Sequence, residues 1–91
     1  MNRIFKYNLI TGQRRQVMAL AAGSRLLSAV EQHGRAVIYA SVPDVPSTEH
    51  IDVWVYMTGE DLQHDLSTLR HLGTIGLQGG LLMLHVFTEQ L

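Results

Sequence analysis

Ile51-Asp52-Val53-Trp54-Val55-Tyr56-Met57-Thr58 is the stretch that decides the fold class. Its apolar period is two: Ile51, Val53, Val55 and Met57 point one way, and Asp52, Trp54, Tyr56 and Thr58 the other. A helix would repeat every 3.6 residues, so strict alternation of β-branched and aromatic residues specifies a half-buried strand. One of its faces is purely apolar. The other mixes aromatic rings with a carboxylate and a hydroxyl.

Working outward, the same period returns at Ile4 to Leu9, which places Phe5, Tyr7 and Leu9 on one face. Thr11-Gly12 then supplies a turn, and Arg14 to Leu20 can return as a second strand. Two further hairpins carry their own turn chemistry. With His33-Gly34 as a two-residue turn, Val30 faces Val37, Ser28 faces Tyr39 and Leu26 faces Ser41, while Ala29 and Leu27 oppose Ile38 and Ala40. With Gly79-Gly80 as the turn between 72–77 and 81–87, Leu77 faces Leu82, Ile75 faces Leu84 and Thr74 faces His85. Segment 24–32 reads two ways. Leu26, Leu27 and Val30 lie on one helical stripe behind a Ser24 cap, yet the same residues alternate as a strand. Ser41 to His50, with Pro43 and Pro46, reads as a loop; so does Gly59 to Ser67, with one helical turn at Asp61 to Leu66.

These segments predict a single domain over residues 1–91: a mostly-β, twisted antiparallel sandwich or open barrel of six to seven strands with at most one short helix. Composition narrows the function classes. Hydrophobic residues make up 46% of the 91 and charged residues 16%, which excludes a disordered charged tail. There is no cysteine, hence no disulfide, thiolate metal site or cysteine nucleophile. No apolar run approaches the ~20 residues of a membrane helix, and no signal-peptide pattern opens the chain, so a cytoplasmic location is expected. A net charge of −1 argues against a nucleic-acid partner.

That charge is unevenly distributed. Residues 1–35 carry Arg3, Lys6, Arg14, Arg15, Arg25 and Arg35 against Glu31 alone, a net +5. Residues 36–91 carry Arg70 against Asp44, Glu49, Asp52, Glu60, Asp61, Asp65 and Glu89, a net −6. Paired strands can neutralise the two halves across a sheet, or a basic face can survive for an anion or an acidic protein loop.

The words of the C-terminal half resemble a family of small uncharacterised proteins of phages and prophages. The residues are Leu69-Arg70-His71-Leu72-Gly73-Thr74, Gly79-Gly80-Leu81 and His85-Val86-Phe87. Upstream, Arg3-Ile4-Phe5-Lys6-Tyr7, Leu26-Leu27-Ser28 and Gln32-His33-Gly34 continue the likeness in the same order. Met57-Thr58-Gly59-Glu60 departs from the family's Gly-Thr-Gly-His, so no histidine role carries over there. The resemblance implies a phage-type origin and favours a strand at 24–32. It implies no activity.

No nucleophile elbow, phosphate loop or dinucleotide fingerprint is present. His33, His50, His64, His71 and His85 include no pair at zinc-ligand spacing, so no metal and no cofactor is expected. The candidate ligand- or partner-binding residues are therefore Arg14, Arg15, Arg25, Trp54 and Tyr56. Arginines beside exposed aromatics suit a small anion or a protein hot spot; the same aromatics also suit a second buried face whose indole and phenol find local partners. His85 reads as a satisfied inward histidine. The leading expectation is a non-enzymatic phage-type binding protein, an anti-defence inhibitor that occludes a host defence protein or sequesters a small anionic signal. A structural protein that self-associates through apolar hairpin faces is the alternative. A homo-oligomer is expected under either, and a small hydrolase using His64 or His85 is the third class.

Overall fold

The computed structural model describes residues 1–91. Seven strands are β1 (Asn2–Asn8), β2 (Arg15–Ala21), β3 (Arg25–Gln32), β4 (Arg35–Pro43), β5 (Thr48–Met57), β6 (Arg70–Leu77) and β7 (Leu82–Thr88). They form two antiparallel sheets, ordered β1-β4-β3 and β2-β5-β7-β6, with no α-helix. Alternation sets the faces. Leu20, Ile51, Val53, Val55, Leu72, Ile75, Leu84 and Val86 project from the four-stranded sheet onto Leu26, Ala29, Ile38 and Ala40 of the other. Burying each large aliphatic side chain contributes about 1.5–3 kcal/mol, so this shared layer holds the sheets together.

Most of the pairings expected from turn chemistry are present. Val30 faces Val37, Ser28 faces Tyr39 and Ala29 faces Ile38. His33 (φ 52°) and Gly34 (φ 78°) both adopt the left-handed conformation that a tight hairpin turn of this hand requires. Leu77 faces Leu82, Ile75 faces Leu84 and Thr74 faces His85. Segment 24–32 contributes a strand and no helix.

Several details differ. Leu26 faces Ala40, not Ser41, because a bulge at Leu27 shifts the register by one. The second turn holds Gln78 to Leu81, so Leu81 lies outside the strand; Gln78 and both glycines have positive φ. The stretch after Leu9 does not fold back on β1. β1 pairs with β4 and β2 with β5, so the two strands stand in opposite sheets. Gln16 secures this crossing: its buried amide accepts from Ile10 N–H (2.9 Å) and donates to the carbonyls of Ile10 (2.8 Å) and Gln13 (3.2 Å). Strands also extend further into 41–50 than expected, leaving residues 44–47 between β4 and β5. The expected helical turn at Asp61 to Leu66 is a short 3-10 turn at Leu66–Thr68.

The edges of the two sheets come together on one side only. At the corner of β3 and β6, a Cβ on Gly73 would stand 2.1 Å from the Ala29 carbonyl oxygen. Side chains stitch this corner where backbone pairing stops. Arg70 Nη2 donates to Leu26 O (2.6 Å), Leu26 N–H donates to Gln90 Oε1 (2.7 Å), and Gln90 Nε2 donates to Ser24 O (2.7 Å). β1 and β2 form the open side.

Candidate functional site

The outward face of the four-stranded sheet gathers most of the chemistry. Strand register places Arg15 opposite Trp54, Trp54 opposite Phe87, and Phe87 opposite His71, so one cross-strand row runs over all four strands. The next row sets Tyr56 opposite His85 and His85 opposite Thr74. Opposed and diagonal neighbours on one sheet face lie within reach of long and aromatic side chains. The Arg15 guanidinium lies 5.6 Å from the Trp54 ring centroid, Arg14 lies 4.2 Å from that of Tyr56, and His71 lies 5.1 Å from that of Phe87.

Residues 58–69 fold over this face. His64 is the clasp: its ring sits 4.2 Å from Trp54, and its Nδ1 meets the Tyr56 hydroxyl at 2.5 Å. Gln63 N–H donates to the same hydroxyl at 3.2 Å. Tyr56 is thereby buried, at 2% exposure, although it points away from the core between the sheets. The Trp54 indole N–H donates to Glu89 at 3.0 Å. Both aromatic side chains thus find local polar partners. The Trp54 ring itself remains only half-buried.

Asp65 holds the turn within this cover. Its carboxylate accepts from Ser67 N–H (3.0 Å) and Ser67 Oγ (2.8 Å). The backbone bond first, and the hydroxyl second, keep its pKa below the usual aspartate value. A depressed carboxylate contributes stability above its unfolded pKa of ~3.9 and loses it as pH falls through the folded value. A carbon-13 titration of Asp65 is expected to show a midpoint below ~3.9. Ser67→Ala is expected to raise that midpoint only part of the way, because the larger backbone contribution persists. Complete restoration by Ser67→Ala would show that the hydroxyl bond dominates.

The predicted binding residues divide. Arg14, Arg15, Trp54 and Tyr56 come together on this face; Arg25 does not. Arg25 opens β3 in the other sheet, where it donates to the Leu91 carbonyl at 2.9 Å and adds its charge to that of Arg70. Burial and Arg25 lower the Arg70 pKa, and Arg70 has carbonyl partners rather than a carboxylate. Arg14 pairs with Glu60, and Arg15 with Asp52 at 2.9 Å, so the basic N-terminal half is neutralised here by the acidic half. The hydrogen bond that Arg15 donates to Asp52, and then the Asp52 charge, raise the Arg15 pKa.

His85 differs from its expected inward position: it faces outward beneath the cover. Nε2 meets Thr58 Oγ1 at 2.7 Å and Nδ1 meets Thr74 Oγ1 at 3.2 Å, with His71 continuing the chain to Thr74 at 3.2 Å. Sequence reading overlooked His64, His71 and Phe87 as members of this group. Counting registers from the Gly79-Gly80 turn sets Phe87 opposite Leu72; the bulge between His71 and Gly73 shifts the register by one and brings His71 opposite Phe87 instead. No three His, Asp or Glu side chains form a metal-binding cluster. A cleft between the cover and the sheet is lined by Tyr56, Thr58, Leu62, Leu66, His85 and Phe87. Another of about 130 Å³ lies by Arg14, Val55, Met57 and Leu84.

A seven-stranded, two-sheet β domain with an aromatic, ion-paired sheet face defines the structural class. The chain belongs to the family described as "Domain of unknown function (DUF7352)", which matches residues 1–91. No curated protein and no solved structure matches it. No helix is long and apolar enough to cross a membrane.

Proposed function

We infer that the protein acts by binding a protein partner through the outward face of its four-stranded sheet. The observation that carries this reading is the Arg15–Trp54–Phe87–His71 row set by strand register, which includes the half-buried Trp54 ring. Tryptophan, tyrosine and arginine dominate interface hot spots because they combine large apolar area with directional polar groups. Sequestration of a small anion has less support. Arg14 and Arg15 already hold Glu60 and Asp52, so an anion must displace a carboxylate from each. Catalysis has less support too, since both His85 nitrogens meet threonine hydroxyls and no carboxylate orients the ring.

The phage-type setting implied by the sequence resemblance makes a host defence protein the first partner class to test, with occlusion as the mode of action. The protein is co-expressed with a panel of bacterial defence systems under phage challenge. The expected outcome is one silenced system, with silencing lost in the folded Trp54→Ala variant and affinity for the purified target reduced about thirtyfold. Full silencing by Trp54→Ala together with Arg15→Ala would remove this face from the mechanism. Silencing of none of the systems would favour the structural, self-assembling role.

A further inference from the structure

We propose that two copies of this chain join through β1, edge to edge and antiparallel, with the twofold axis at Phe5. The proposal does not depend on the partner-binding reading, since β1 belongs to the other sheet. β1 is an open edge. Leu9 N–H donates to Ala36 O, which fixes the alternation of the β1–β4 ladder. Arg3, Phe5 and Tyr7 therefore turn their backbone groups toward β4, and Asn2, Ile4, Lys6 and Asn8 turn theirs outward. No proline or bulge interrupts the strand, whereas β3 and β6 carry bulges and meet at the closed corner.

The side chains show what is missing. Phe5 lies opposite Ala40, on the face that the core occupies, yet remains 45% exposed; Ile4, on the other face, is 67% exposed. A neighbouring strand would cover both. β2, the other open edge, exposes Val17 as its only large apolar side chain, and its Arg15 is fixed to Asp52.

A second copy fits this edge in register, with Phe5 and Ile4 as the apolar surface it would cover. With the axis at Phe5, all seven residues pair: Phe5 with Phe5, Arg3 with Tyr7, Ile4 with Lys6, and Asn2 with Asn8. The outward-turned groups of Ile4 and Lys6, and of Asn2 and Asn8, become bonded pairs, while Phe5 packs on Phe5 at the closer, non-bonded spacing. No like charges stand directly opposite each other; the two Lys6 side chains become diagonal neighbours on the Ile4 face. Moving the axis to Lys6 sets lysine against lysine, and moving it to Ile4 leaves Tyr7 and Asn8 unpaired. Lysine on an edge commonly deters pairing, but here it faces the aliphatic Ile4 of the other copy.

The test uses sedimentation and amide exchange on the full chain. Wild-type protein is expected to sediment as a dimer at micromolar concentration, with Ile4 and Lys6 amides protected alongside Phe5 and Tyr7. Ile4→Lys places lysine against Lys6 twice and is expected to weaken the dimer at least about tenfold. Ile4→Glu places a carboxylate against Lys6 and is expected to retain it. A monomer at about 100 μM would overturn the proposal. So would equal weakening by both variants, or protection of Val17 and Ala19 in place of Ile4 and Lys6. The exchange pattern requires no variant, so misfolding of a mutant cannot mask the result.

Discussion

Gly73→Ala is expected to lower stability by about 3 kcal/mol or more, at the upper end of the range for an overpacked interior. The added methyl would meet the Ala29 carbonyl oxygen at 2.1 Å, and neither side can yield easily. Gly73 follows the bulge in β6, and Ala29 is held in the β3–β4 ladder opposite Ile38. Relief requires the β3–β6 corner to open by an ångström or so, which pulls Leu26 and Ser24 from Arg70 and Gln90. For a domain of this size, 3 kcal/mol corresponds to a drop in Tm of roughly 12–24 °C. Thermal and urea unfolding of the two proteins measure it directly. A variant that melts within two or three degrees of wild type, about half a kcal/mol, would show that the corner is slack.

The second large effect is at Tyr56. Tyr56→Ala is expected to cost about 3–5 kcal/mol, the usual range for emptying a buried aromatic site. Tyr56→Phe separates the ring from its hydroxyl. It keeps the packing under residues 58–69 but leaves His64 Nδ1 and Gln63 N–H without the phenol, at a cost of about 1–2 kcal/mol. Its expected signature is local: faster amide exchange at Gln63 and altered Trp54 fluorescence as His64 leaves the indole, with the strands unaffected. Equal stability losses in the two variants would mean that the hydroxyl, rather than the ring, holds this part of the molecule.

Together the two variants separate a structural corner from a binding face. Damage at Gly73 spreads through the core, because both sheets meet there. Damage at Tyr56→Phe is confined to the cover, and with it to the surroundings of Trp54. A partner that recognises the aromatic row should therefore respond to Tyr56→Phe even where global stability has changed little.

Much of this was legible in the chain. The period of two at 51–58 and at 4–9 is a local property, because adjacent side chains on a strand must point in opposite directions. The His33-Gly34 and Gly79-Gly80 turns fixed two registers, since positive φ at a turn dictates which residues face each other beyond it. From the second of these came the pairing of Thr74 with His85. The Trp54 and Tyr56 face was likewise visible as a mixed aromatic and polar side of one strand.

What the tertiary structure alone decided depends on contacts between distant segments. β1 and β2 read as neighbours, yet they part into opposite sheets: β1 lies along β4 and β2 along β5. The bulge at Leu27, one residue that local alternation cannot reveal, moved Leu26 from Ser41 to Ala40. Gly73 looked like any strand glycine until β3 passed within reach of its missing methyl. Arg25 left the site because backbone pairing brings Arg15 beside Trp54 and carries Arg25 to the other sheet; His64 became its clasp because the segment after β5 brings its ring to Trp54 and Tyr56. Alternation and turns are written in neighbouring residues; which strands meet is settled by the shared burial of faces that lie far apart in the chain.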